Sequence, residues 1–194
     1  MKVELEKSFP LPGSADVAWE FLQDVEAVAA CMPGAKITEP VPGGGFKGTV
    51  TVRVGPATMS FRGQVEVREV DPSARTLRLV GKGTDSTGTS GASMDLAARI
   101  EPVSASASNL VGRSEISMSG KAASFGARMM NTVADQVLKQ FAGNFAERVA
   151  ERTAQRPANA PPDRSGPARE LNAFAILWGA LRDWLRGLFR RKAA

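Results

Sequence analysis

Polar and apolar residues alternate along the first strand-like stretch, with Val3, Leu5 and Phe9 on one face and Glu4, Glu6 and Ser8 on the other. Successive side chains of a strand point to opposite faces, so residues 2–10 predict a half-buried strand ending at Pro10 and Pro12. Ser14 then reads as a helix N-cap, with Asp16 in the first turn and Val17, Ala18, Phe21 and Leu22 on the inner face. A second short helix is predicted from about Val25 to Cys31, stopped by Pro33-Gly34.

A run of strands follows. Phe46, Gly48, Val50, Val52 and Val54 alternate with Lys47, Thr49, Thr51 and Arg53. Gly55-Pro56 breaks the run, and Met59, Phe61, Val65 and Val67 resume it against Ser60, Arg62, Gln64 and Glu66. Asp71-Pro72-Ser73 predicts a turn, and Leu77 and Leu79 begin a strand that fades into the Gly/Ser/Thr-rich stretch Gly81–Gly91, read as a flexible connection. Met94, Leu96, Ala98 and Ile100 form the next inward set, and Leu110, Ile116 and Met118 the last. Clean alternation with short connections predicts antiparallel strands buried on one face.

From about Ala122 to Arg152 the period becomes helical. Phe125, Met129, Val133, Val137, Phe141, Phe145 and Val149 descend by fours, and Met130, Ala134 and Leu138 widen the stripe. Such a helix is long enough to cover the concave face of a curved sheet. Three parts follow from this reading: a folded body over residues 1–154, a linker over 155–169 and a terminal helix over 170–194. The linker holds Pro157, Pro161, Pro162 and Pro167 among Ala, Arg and polar residues. It is expected to be extended, reaching roughly 45 Å at about 3.1 Å per residue.

In the terminal segment, helical phase puts Phe174, Leu177, Trp178, Leu181, Trp184, Leu185 and Leu188 on one arc, with Arg182, Arg186 and Arg190 on a neighbouring face. An apolar face edged by arginines is the pattern of a helix lying in a bilayer interface. The charge-free stretch Leu171–Leu181 is shorter than the roughly 20 apolar residues a span requires. The same arc would also suit a partner protein or the chain's own body, and the Trp pair with its arginine flank favours the membrane.

Composition narrows the chemistry. The 194 residues are 43% hydrophobic, enough for one core and an appendage. The net charge is +5, and the terminal segment supplies +3 of it, so the body lacks the strong basic excess of a nucleic-acid binder. Histidine is absent, which removes the commonest general base, the commonest zinc ligand and every Ser-His or Cys-His pair. The single cysteine, Cys31, excludes an internal disulfide and fits a reducing compartment, and it reads as a small buried hydrophobe. Residues 1–7 mix charge with apolar positions and are not expected to form a signal peptide. No catalytic or metal-ligating set emerges, and the expectation is a binding protein, not an enzyme. Gly81–Gly91 lacks the spacing of a phosphate-binding P-loop.

Several local motifs occur in a suggestive order: Ala30-Cys31-Met32-Pro33-Gly34, Val54-Gly55-Pro56, Phe61-Arg62-Gly63, Val70-Asp71-Pro72, the glycine-rich Gly81–Gly91, and Phe125-Gly126-Ala127-Arg128 followed by Phe141 and Phe145. Together with the element order, they resemble the CoxG-like family of carbon monoxide dehydrogenase proteins over about residues 1–150. That family lies in the START/Bet v 1-like (SRPBCC) superfamily. The resemblance implies an α+β helix-grip fold, in which a curved antiparallel sheet wraps a long C-terminal helix and usually leaves a hydrophobic cavity. It also implies an accessory protein of molybdenum hydroxylases such as aerobic CO dehydrogenase, peripheral on the inner face of the cell membrane.

A cavity on a membrane tether suggests a carrier that takes a hydrophobic small molecule, a quinone, from the bilayer to the dehydrogenase, with no tightly bound cofactor of its own. The alternative is an adaptor that only recruits the enzyme to the membrane. A cyclase- or hydrolase-like enzyme on this fold is disfavoured by the missing histidine. Strand alternation and helical phase nominate Met59, Phe61, Met94, Leu96, Met118, Phe125, Met129, Met130 and Val133 as the cavity lining. Thioethers adapt to apolar ligands of different shape, but methionine is also a routine gap-filler, so these residues serve equally as ordinary core. Arg128 could pair with a polar group of a ligand, with a solvated side chain as the default.

Overall fold

The computed structural model describes residues 1–156. The proposed terminal helix with its ten interfacial residues, and all of the linker beyond Arg156, lie outside the described residues. The elements are β1 (Lys2–Pro12), α1 (Ala15–Leu22), α2 (Val25–Cys31), β2 (Ala35–Val41), β3 (Gly45–Val54), β4 (Ala57–Asp71), β5 (Thr76–Asp85), β6 (Ser90–Ser104), β7 (Ala107–Gly120), a 3-10 turn (Lys121–Phe125) and α3 (Gly126–Gln155). The seven strands form one antiparallel sheet in the order β1-β7-β6-β5-β4-β3-β2. This is the helix-grip architecture expected from the element order.

Local chemistry explains the helix starts. The Ser14 hydroxyl accepts from the Val17 amide at 3.4 Å, and the Asp24 carboxylate accepts from the Ala27 amide at 3.1 Å. Each satisfies one of the amides that a helix start leaves without a partner. β1 runs through Pro10 to Pro12; as an edge strand bonded only to β7, it tolerates residues without an N–H.

Three sequence expectations need correction. The strand β2 does not show in the sequence pattern, because a bulge between Ile37 and Glu39, a proline at 40 and mostly exposed side chains erase its alternation. Gly81–Gly91 is not a long connection: Gly81 and Gly83 pair within β5, Gly91 pairs within β6, and only Ser86–Thr89 turn the chain. The long helix begins at Gly126 and not at Ala122, since Lys121–Phe125 wind as a 3-10 turn.

The antiparallel order gives the body two ends. The tip carries the β3–β4 turn, the β5–β6 turn and the β7–α3 junction; the base carries the β4–β5 and β6–β7 turns together with α1. The packed core lies toward the base. Leu11, Phe21, Leu22, Leu77, Ile100, Leu110, Phe145 and Val149 are among its buried members. The Phe21 and Phe145 ring centroids are 4.7 Å apart, and the Arg152 guanidinium sits 4.6 Å above the Phe21 ring while its Nη2 reaches the Asp24 carboxylate at 3.0 Å. Asn144 donates to the Cys31 carbonyl at 2.9 Å and so ties α3 to α2. The C-terminal half of α3 is thereby fixed.

Candidate ligand-binding site

Sheet register places the inward residues row by row. Across β3, β4, β5, β6 and β7, one row reads Gly48, Gly63, Gly83, Ala92 and Met118. The next row toward the base reads Phe46, Val65, Gly81, Met94 and Ile116, followed by Val67, Leu79, Leu96 and Ser114. Toward the tip, Phe61 lies opposite Val50 and Asp85, and Met59 opposite Val52. Gly63, Gly81, Gly83 and Ala92 therefore form a floor almost without side chains, bordered by Phe61, Met94 and Met118.

The glycines have a backbone reason as well. A Cβ on Gly63 would lie 2.0 Å from the Lys82 carbonyl oxygen and 2.6 Å from the Gly83 Cα. Here β4 and β5 approach so closely that only glycine fits, and the closeness accompanies the curvature of the sheet. Further along, the Met94 Cε lies 3.7 Å from the point where a Gly81 Cβ would be, and a Leu96 methyl lies 3.8 Å from the corresponding point at Gly112. Both side chains fill space that the glycines leave open.

The roof is the N-terminal half of α3. Among the strands, the helix approaches chiefly β1 and β3, the two sides of the concave face, and not central β5. Only Phe145 and Val149 of its long apolar stripe are fully buried. Met130, Val133 and Val137 are half-buried, and Met129 is 41% exposed. Met129 faces the β3–β4 turn, its Cε 4.0 Å from the position of a Gly55 Cβ. Of the nine nominated residues, Met59, Phe61, Met94, Leu96 and Met118 share the concave face, while Phe125 is half-buried in the 3-10 turn and Met129, Met130 and Val133 belong to the first two turns of α3. None of the nine belongs to the close-packed core cluster.

Polar groups at this end converge on Asp85, which sequence reasoning missed because it lies in a stretch that reads as a loop. Its carboxylate accepts from the Ser90 amide at 2.7 Å and from the Thr87 hydroxyl and amide. The Thr87 hydroxyl bond, reinforced by backbone amides, holds its carboxyl below the usual range. The buried Ser90 hydroxyl in turn accepts from the Ala122 amide at 3.0 Å, joining the β5–β6 turn to the start of the roof. Arg128 is exposed and, among the described residues, has no ion-pair partner.

Two open depressions lie elsewhere. One of about 280 Å³ is lined by Val17, Glu20, Arg152, Gln155 and Arg156; another of about 190 Å³ by Ala30, Cys31, Asn144, Glu147, Arg148 and Glu151. Their charged linings suit water better than an apolar ligand. Cys31 is buried, and desolvation pushes its thiol up, partly offset by Arg148, so it is a poor nucleophile. Among the described residues no cluster of acidic, Cys or His side chains could hold a metal ion, and no helix is long and apolar enough to cross a membrane.

The model of one protein family, the carbon monoxide dehydrogenase protein CoxG, matches residues 8–150. The chain belongs to the CoxG family. Solved structures share its fold. A conserved protein from Geobacillus kaustophilus is 19% identical with a TM-score of 0.69, over 77% of this chain and 96% of that one. The ZhuI aromatase/cyclase from Streptomyces sp. R1128 is 18% identical with a TM-score of 0.58, over 83% and 100%. A START superfamily protein from Mycobacterium smegmatis is 14% identical with a TM-score of 0.54, over 76% and 97%. At these identities the likeness carries the fold alone, and the fold hosts enzymes as well as binding proteins. No curated protein sequence matches the chain.

Proposed function

We propose that this CoxG-family chain is a non-catalytic accessory protein that takes up a hydrophobic ligand, a respiratory quinone, and delivers it to a molybdenum hydroxylase of the CO dehydrogenase type. The observation that supports this reading is the glycine floor on the concave face, bordered by half-buried Met and Phe side chains under a loosely packed half of α3. A quinone ring is flat and its isoprenoid tail apolar, and a floor without side chains leaves depth for them. Chemistry at the site has little to draw on. Asp85 is held ionised by its own turn, and the chain contains no histidine. In this reading the segment 170–194 holds the protein on the inner face of the membrane, through Phe174, Leu177, Trp178, Leu181, Trp184, Leu185 and Leu188 and the cations Arg182, Arg186 and Arg190.

The test is mass spectrometry of organic extracts from a chain cut after Arg156, purified after exposure to native membranes. Cutting there avoids counting lipids held by the terminal segment. A stoichiometric quinone, lost when Phe61 and Met118 are both replaced by Ser, is the expected result. An empty protein that also ignores added quinone would favour recruitment of the dehydrogenase without ligand carriage.

A further inference from the structure

Charge on the body is sorted by end. Residues 49–62, 82–93 and 117–130, which make up the strand tips and the start of α3, contain five cations (Arg53, Arg62, Lys82, Lys121 and Arg128) and one carboxylate, Asp85. All five cations are exposed, and among the described residues none is in an ion pair. Asp85 does not balance them locally, since its oxygens are occupied by Thr87, Thr89 and Ser90. The base is different: Arg75, Arg148 and Arg152 there are each matched to Asp16, Glu151 and Asp24. The tip also carries apolar surface, with Met129 41% and Val50 37% exposed beside half-buried Met59 and Phe61.

Free cations encircling exposed apolar side chains, at the end where the floor and roof open, complement an anionic bilayer surface. We propose that the tip of the body docks on anionic lipid with the opening of the site against the membrane. A ligand would then pass from acyl chains to the glycine floor without crossing water. This inference rests on the uptake reading above for its purpose, but the docking surface is tested without any ligand. An acidic protein surface is the rival occupant. Lipid is favoured because methionine and valine at the centre of the ring gain from insertion among acyl chains, whereas an acidic protein patch offers them nothing.

The full-length chain is labelled with an environment-sensitive fluorophore at Met129→Cys, and separately at Val103→Cys, which is 62% exposed on the β6 end at the base. Buried Cys31 does not compete for the label. Quinone-free vesicles with about 30% phosphatidylglycerol are compared with purely zwitterionic ones. The probe at 129 should shift to the blue and be quenched by nitroxides within the bilayer only on the anionic vesicles, and the probe at 103 should stay in water. Replacing Arg53, Arg62 and Arg128 together with Ser should reduce the docked fraction at least about tenfold. A probe at 129 that remains aqueous on anionic vesicles overturns the proposal. So does a shift that needs added dehydrogenase, which would assign the face to a protein. Docking without recoverable quinone would sink the carrier function and leave the surface standing; quinone binding without docking would do the reverse.

Discussion

Gly63 shows how a single residue ties sheet shape to the site. Its second α-hydrogen points into space that no carbon could share with the Lys82 carbonyl, so Gly63→Ala must push β5 away. We expect a loss of about 1–3 kcal/mol, read from denaturant midpoints, together with weaker ligand binding. Gly143 provides the contrast. It lies inside α3 with open space around its Cα, and Gly143→Ala should stabilise the protein by about 0.5–1 kcal/mol. If both changes destabilise alike, close approach is not what selects glycine at 63. Asp85 makes a third prediction at this scale. Its folded pKa is depressed, so its stabilising effect is complete above the unfolded carboxylate value, about 3.9, and is lost as pH falls through the lower folded value. Asp85→Ala should melt earlier than the parent chain at pH 6, and the two melting temperatures should converge toward pH 2–3 (roughly one to two units below that reference).

At the scale of elements, α3 is one helix with two jobs. Its C-terminal half closes the core through Phe141, Phe145 and Val149, while its N-terminal half leaves Met129, Met130 and Val133 incompletely covered. Phe145→Ala should therefore cost about 3–5 kcal/mol, as for a fully buried aromatic. Met130→Ala and Val133→Ala should each cost about 1 kcal/mol or less, because their side chains are only half withdrawn from water, yet both should weaken binding of an apolar fluorescent probe. Equal losses of stability in the two halves would mean that the roof is ordinary core. The periodicity of α3 was legible in the sequence, but this division was not, since Phe, Met and Val descend by fours along its whole length. The same contrast runs through the sheet. Strands with strict alternation, such as β3 and β4, were readable. β2 was hidden by its bulge, and the ends of β5 and β6 by glycines whose place is set by neighbouring backbone and not by a pattern along the chain. Facing among the strand members of the site was readable from period two, whereas the floor between them needed the register of five strands.

For the whole molecule, the proposed attachment divides between the terminal segment and the tip of the body, and the two can be separated because the core is complete within the described residues. Residues 170–194 supply five cations and two acids beside their Trp and Leu positions, so most of the affinity for anionic vesicles should reside there. A chain cut after Arg156 should sediment with such vesicles at least about tenfold less than the full chain, with a difference that narrows as salt rises and screening weakens the cationic share. Its melting temperature in solution should be unchanged, since no core residue is removed. The residual binding of the cut chain should vanish when Arg53, Arg62 and Arg128 are replaced by Ser, because only the tip remains to hold it. A cut chain that sediments as strongly as the full one would transfer the anchor to the body. A cut chain with a lower melting temperature would instead show that the terminal segment covers the body's own apolar surface, the competing use of the arc that its helical phase permits.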